Sequence, residues 1–103
     1  MKSIQVLAAA LLAAVASAQD AVFTSWQTDN CDGSDIVVTA NGNGAKGNFN
    51  PEQFSVVLNE INAGFHLTLY SGQDQSNVVE RLNSENVGQC FPVGFQSWGI
   101  FDT

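Results

Sequence analysis

The sequence predicts an all-β domain, either a sandwich or a small barrel, and three observations support this. Turn-forming residues recur roughly every 8–12 positions, as in proteins built from short antiparallel strands. The segments between these turns are rich in β-branched and aromatic residues. Residues 64–70 alternate apolar and polar side chains, which indicates a strand with one buried face.

The first half of the domain is predicted to contain three strands. Residues 21–27 and 35–40 form the first two, separated by a polar turn that contains Gly33. Residues 41–50 hold three glycines and four asparagines, which tolerate positive φ, so a long turn is predicted there. Pro51-Glu52 fits a brief helical turn, and residues 54–59 form the third strand.

The second half begins with the clearest strand, residues 64–70. Its alternation places two sets of side chains on opposite faces, Phe65, Leu67 and Leu69 inside and His66, Thr68 and Tyr70 outside. Residues 71–76 are a predicted turn. Residues 77–82 and 86–91 carry weaker strand signals, and residues 94–101 form the last strand.

A helix over residues 51–63 is an alternative that periodicity leaves open. Phe54, Val57, Leu58 and Ile61 follow helical spacing, and Asn50-Pro51 would suit an N-cap and a first helical residue. This helix would change the fold class to α+β.

Residues 1–18 have the features of a secretory signal peptide. Lys2 precedes an apolar run, and Ala16-Ser17-Ala18 forms a cleavage signal. The run is shorter than the roughly 20 apolar residues of a membrane span. We therefore expect residues 19–103 to form one small β domain that is secreted and has no membrane anchor.

The composition after residue 18 is strongly acidic. Ten acids and two strong bases, Lys46 and Arg81, give residues 19–103 a net charge of −8. Nucleic-acid binding requires clustered cations, so we do not expect a nucleic-acid partner. We expect a monomer whose partner is neutral or basic.

Two cysteines, Cys31 and Cys90, are predicted to form a disulfide because a secreted chain enters an oxidising compartment. The bridge would close a loop of about 60 residues, which the chain-entropy model values at about 4 kcal/mol. Two metal-binding or free thiols are the alternative.

Parts of the two halves resemble each other and the Greek-key motif of the βγ-crystallin-like fold. In each, an aromatic residue ends a strand, a short turn with glycine follows, and a serine later precedes an apolar strand. The matching segments are Trp26–Gly33, Leu69–Asp74 and Phe95–Ile100. The chain is also similar to small secreted, effector-like proteins of filamentous fungi, in its acidic body and its aromatic ending. The resemblance implies a Greek-key β-sandwich (βγ-crystallin-like).

The acidic turn at Asp29, Asp32 and Asp35 is a candidate calcium site, because carboxylates are hard oxygen ligands. A solvated turn is the alternative. Microbial relatives of the crystallins often bind calcium through an (Asn/Asp)-(Asn/Asp)-x-x-(Ser/Thr)-Ser signature, of which this chain has no intact copy. Otherwise no cofactor is predicted.

His66 is the one histidine and the candidate base of a hydrolase. No G-x-S-x-G elbow accompanies it. A ribonuclease would combine His66 with Glu60 or Glu80 and with Arg81. A surface histidine is the alternative, and we do not expect an enzyme.

Trp26, Tyr70 and Trp98 are candidate binding residues, because exposed aromatic rings stack on sugars. Core packing is the alternative. The sequence thus predicts a secreted, non-enzymatic interaction protein, effector-, toxin- or defence-like, that recognises an extracellular protein or glycan. A calcium- or carbohydrate-binding module is the second hypothesis, and a small hydrolase the third.

Overall fold

The computed structural model describes residues 19–102, which fold into two four-stranded antiparallel sheets packed as a sandwich. The predicted signal peptide lies outside the described residues. No α-helix forms within 19–102, and no helix in that range is long and apolar enough to cross a bilayer. The strands are β1 Ala21–Trp26, β2 Asp35–Ala40, β3 Lys46–Gln53, β4 Ser55–Ile61, β5 Phe65–Tyr70, β6 Val78–Leu82, β7 Cys90–Phe91 and β8 Phe95–Asp102.

Each half of the chain builds most of one sheet and lends its third strand to the other. The first sheet has the order β2-β1-β4-β7, and the second has the order β3-β8-β5-β6. In both halves the fourth strand returns to lie beside the first, which is the Greek-key connection. The prediction of an all-β Greek-key sandwich is confirmed.

An aromatic cluster holds the two sheets together. Phe23 of the first sheet meets Trp98 and Phe49 of the second edge-to-face, at centroid distances of 5.4 and 6.4 Å. Phe49 meets Phe95 in the same way at 5.5 Å. Such pairs contribute about 0.5–1.5 kcal/mol each beyond the area they bury. These rings point into the space between the two sheets. Because side chains alternate along a strand, residues of the same parity as a core ring face the core, and the residues between them face outward.

The alternative helix over residues 51–63 is wrong. This segment forms the end of β3 and all of β4, which pairs with β1 on one side and β7 on the other. Val56 and Leu58 are fully buried, with Val57 between them only partly buried, as in a strand. Phe54, the first residue of the proposed helical stripe, is exposed. The brief helical turn predicted at Pro51-Glu52 is also strand, at the edge of its sheet, where proline is tolerated.

The long turn predicted over residues 41–50 ends early, because β3 begins at Lys46. Gly47 contributed to the turn prediction, but it lies in β3, where the absence of a side chain lets the Trp98 ring pack against the backbone. A Cβ at this position would lie 2.7 Å from Trp98 Nε1. A glycine in a strand can mark such an approach as well as a turn.

The strand predicted over residues 86–91 is reduced to the two residues of β7. A short 3-10 turn, Ser84–Asn86, comes first, with Asn83 Oδ1 accepting from the Glu85 N–H and Asn86 Oδ1 accepting from the Asn83 N–H. Pro92, which has no N–H to donate, follows the strand.

Candidate functional site

The Cys31–Cys90 disulfide is present, as predicted, and it joins the two halves. Cys31 lies in the β1–β2 hairpin of the first half, whereas Cys90 lies on β7, the strand that the second half lends to the first sheet. Such a bridge is typical of proteins that fold in an oxidising compartment.

The β1–β2 hairpin folds over the outer side of the first sheet and is fastened there by Ser55. The fully buried Ser55 hydroxyl donates to the Thr28 carbonyl at 2.6 Å and accepts from the Cys31 N–H at 3.0 Å. Cys31 has a positive φ of 56°, so the chain turns sharply at the residue that forms the disulfide.

The β5–β6 hairpin repeats this arrangement with Ser97. Its buried hydroxyl donates to the Gly72 carbonyl at 2.6 Å and accepts from the Gln75 N–H at 3.0 Å. Gln75 also has a positive φ, 59°. Gln75 is therefore the counterpart of Cys31, and Ser97 the counterpart of Ser55.

The structure does not bring the three candidate aromatic residues together. Trp98 points into the core against Phe23 and is only 8% exposed. Tyr70 lies on the outer side of the second sheet but is also only 8% exposed, next to the folded β5–β6 hairpin. Trp26 is half-buried on the outer side of the first sheet, so the predicted aromatic platform does not form.

The candidate calcium ligands are not assembled into a site. Across residues 19–102 no group of three or more histidine, cysteine, aspartate or glutamate side chains could hold a metal ion. Asp32 instead accepts a hydrogen bond from the Thr28 hydroxyl at 2.9 Å, and Asp35 begins β2. Asp29 and Asp32 thus belong to an exposed turn and Asp35 to the exposed first position of β2.

The ribonuclease residues are also divided. Glu60 lies on β4 of the first sheet, whereas His66 and Arg81 lie on the second. Glu80 is the neighbour of Arg81 on β6 and so points to the opposite side of that strand. The described residues form no pocket.

A surface with several apolar side chains, bordered by the polar Thr39 and Asn59, lies on the outer side of the first sheet and is the strongest candidate for recognition. It consists of Val22, Thr24, Trp26, Val37 and Val57, which we call the first outer face. Thr24 is at its centre, paired with Val37 of β2 and Val57 of β4. Val37 is 59% exposed, the largest exposure of any large hydrophobic residue in the described part of the chain.

Strand β2, which carries Val37, is also a sheet edge. It pairs with β1 in a regular register over its whole length, and its other side has no partner strand among residues 19–102. Proteins usually protect such edges with lysine, proline or a bulge. β2 has none of these, and its Ile36 is 42% exposed.

Sequence reasoning missed the first outer face because both sides of its strands are apolar. Alternation shows a buried face only when the other face is polar. The signal in the sequence that could have indicated this face is the run Ile36-Val37-Val38. Three consecutive apolar residues in a strand place at least one apolar side chain on each face, and β2 is an edge strand.

A scan against protein-family models, a search of the curated proteins and a search of the solved structures each found no match to this chain.

Proposed function

We propose that this protein is a secreted, non-enzymatic interaction protein that binds a partner protein through the first outer face and the adjoining edge of β2. The observation that carries the proposal is the exposed Val37, at the middle of an unprotected edge strand and next to an apolar surface. Surfaces of this kind are where extended segments of a partner add to a sheet.

The chemistry of the rim favours a neutral or basic partner. Asp35 lies beside Trp26 at one end of the face, and Glu60 lies beside Val22 at the other. Both carboxylates are exposed. A partner strand with apolar side chains toward Val37 and a positive charge near either end would match both features.

Secretion is part of the proposal and is supported by the signal-like residues 1–18 and by the disulfide. The Greek-key strand order supports the proposed kinship with βγ-crystallin-like proteins. The proposed kinship with small fungal effector-like proteins rests on the acidic composition and the aromatic ending.

The test compares two charge-matched variants at exposed valines of different edge strands. Val37→Lys places a cation on the first outer face, and Val79→Lys places one on β6 of the other sheet. Extracellular protein fractions are passed over each immobilised variant, and the affinity of any saturable partner is measured by surface plasmon resonance.

We expect a partner of wild-type protein at micromolar concentration, loss of its binding with Val37→Lys, and retention with Val79→Lys. The absence of a saturable partner, or equal binding by both variants, would contradict the proposal. So would sedimentation showing that the wild-type protein is a dimer and Val37→Lys a monomer, since β2 would then pair two copies of this chain.

A further inference from the structure

The two cations of this acidic protein and its one histidine lie on the same surface. Lys46, His66 and Arg81 are the only lysine, histidine and arginine in residues 19–102. The register places all three on the outer side of the second sheet, since their strand neighbours Gly47, Leu67 and Leu82 face the core. No comparable group of cations exists on the other faces of the described domain.

Lys46 and Arg81, the two cations, end one row of the sheet. Arg81 pairs with Thr68, Thr68 with Gly99, and Gly99 with Lys46, so the row crosses all four strands. Strands are about 4.8 Å apart, so the backbones of Lys46 and Arg81 are roughly 14 Å apart. Neither charged group makes an ion pair or hydrogen bond with any of residues 19–102.

An aromatic ring lies at the centre of this row. A Cβ on Gly99 would be 2.8 Å from Phe101 Cε2 and 2.9 Å from Cζ, so the Phe101 ring covers the Gly99 backbone. The His66 ring is beside it, at a centroid distance of 5.9 Å. Thr68 is 2% exposed and does not rise above the ring. We call Lys46, His66, Thr68, Arg81, Gly99 and Phe101 the second outer face.

From this arrangement we infer that the second outer face binds an acidic oligosaccharide, with a sugar ring on Phe101 and carboxylates of neighbouring residues at Lys46 and Arg81. An aromatic ring is suited to the C–H side of a pyranose, and the guanidinium fork is suited to a carboxylate. The site is distinct from the first outer face and does not depend on the proposed protein partner.

The remaining charges permit this binding despite the net charge of −8. Screening length is about 8 Å at 0.15 M salt, and the two sheets lie about 10 Å apart. The aspartates of the β1–β2 hairpin and Glu60 belong to the first sheet, so they are largely screened from the second outer face. Asp74 borders it, accepting from Asn48, two residues along β3 from Lys46. Glu80 and Asp102, the strand neighbours of Arg81 and Phe101, alternate to the other side of the sheet.

A glycan fits this surface better than other anionic polymers. Two cations are fewer than the roughly six to ten phosphate contacts that a strongly salt-dependent nucleic-acid binding protein makes. The surface is a sheet face without a pocket, on which a stiff sugar chain can lie with little loss of conformational entropy, unlike a flexible acidic peptide.

The experiment titrates the folded protein, residues 19–103 with the disulfide intact, with tetragalacturonate at about 0.15 M salt. Backbone amide shifts are followed by NMR, and affinity is measured by calorimetry. The comparison ligands are neutral galactotetraose and a hexathymidylate oligonucleotide. We expect saturable shifts at Thr68, Gly99 and Phe101, and none at Thr24 on the opposite face.

Three variants test the parts of the site. Lys46→Gln and Arg81→Gln should each weaken binding about tenfold, the effect of one charge-assisted hydrogen bond. Gly99→Ala should weaken binding with all charges retained, because the new methyl group displaces the Phe101 ring. Asn30→Asp is the control: it changes the net charge by the same amount as either glutamine variant, on the exposed hairpin of the first sheet.

The inference is overturned if tetragalacturonate causes no saturable shifts at millimolar concentration, or if the neutral tetrasaccharide binds equally well. It is also overturned if Asn30→Asp weakens binding as much as Arg81→Gln, or if the oligonucleotide binds more tightly than the glycan. Should Gly99→Ala fail to fold, the two surface glutamine variants still decide the question.

Discussion

The two outer faces occupy equivalent places in the two halves and carry opposite chemistry. The central row of the first face runs Val37, Thr24, Val57 and Cys90 across its four strands. The central row of the second runs Arg81, Thr68, Gly99 and Lys46. A buried threonine is second in each row, 7% exposed in one and 2% in the other. The scaffold is shared, and the three remaining positions distinguish an apolar surface from a cationic one.

The two halves also differ in the bonds that hold each folded hairpin to its sheet. In the first half, Cys31 is bonded to Cys90 of β7, and its Sγ lies 3.7 Å from the Val56 carbonyl oxygen. In the second half, the Gln75 amide donates to the carbonyls of Gly47 and Trp98, at 3.2 and 3.3 Å. Both residues thus tie a hairpin to the strand lent by the other half, one covalently and one by hydrogen bonds.

The largest expected effect follows from removing the covalent tie. Cys31→Ser with Cys90→Ser should lower the free energy of unfolding by about 4 kcal/mol, because the disulfide closes a loop with a sequence separation of 59. Urea unfolding monitored by tryptophan fluorescence measures this. The NMR chemical shifts of the Thr68 and Gly99 amides should stay at their native values, since the central row of the second outer face contains no cysteine. A loss below about 1 kcal/mol would mean that hydrogen bonds suffice in both halves.

A second disulfide would make the two halves more alike. Lys46 and Gln75 are the counterparts of Cys90 and Cys31, so Lys46→Cys with Gln75→Cys should oxidise to a second bridge. A loop of about 30 residues predicts a gain of about 3.6 kcal/mol in unfolding free energy. Thiol titration under denaturing conditions and urea unfolding test this. If both thiols stay free, the side chains at positions 46 and 75 are not placed as those of Cys90 and Cys31 are, and the two halves are equivalent only in backbone.

The strands were predictable from sequence where a run of β-branched or aromatic residues lies between two turn signals. β2 was predicted at its observed bounds, Asp35–Ala40, and the disulfide followed from cysteine number and context. The short β7 was not predictable, because its two residues are a strand only through pairing with β4 and the bond at Cys90.

The candidate surfaces could not be predicted because they depend on register. Lys46 and Arg81 are 35 positions apart in sequence, and their alignment requires the pairing of four strands. Similarly, Tyr70 and Trp98 belong to adjacent strands but point to opposite sides of the sheet, which their separate sequence contexts do not reveal.

A smaller effect is expected from the serines that fasten the hairpins. Ser55→Ala and Ser97→Ala each remove a buried donor and acceptor, at a cost of about 1–3 kcal/mol in unfolding free energy. Ser97→Ala should cost more in the native protein, because the disulfide holds the other hairpin. In the cysteine-free background the two costs should become equal. The exposed Ser84→Ala serves as control, and a larger cost for Ser55→Ala in native protein would contradict the comparison.

The smallest effect on stability, and the sharpest on function, is expected from exchanging the ends of the two rows. Val37→Arg with Arg81→Val preserves net charge, and both positions are exposed strand residues, so unfolding free energy should change by less than about 0.5 kcal/mol. Tetragalacturonate binding at the second outer face should nevertheless weaken about tenfold, as it does with Arg81→Gln. It should not appear at the first, where Val57 replaces the glycine beneath the ring and Cys90 replaces the lysine. Amide shifts at Thr24 on titration would show that one added arginine is enough, and that the ring over Gly99 contributes nothing to recognition.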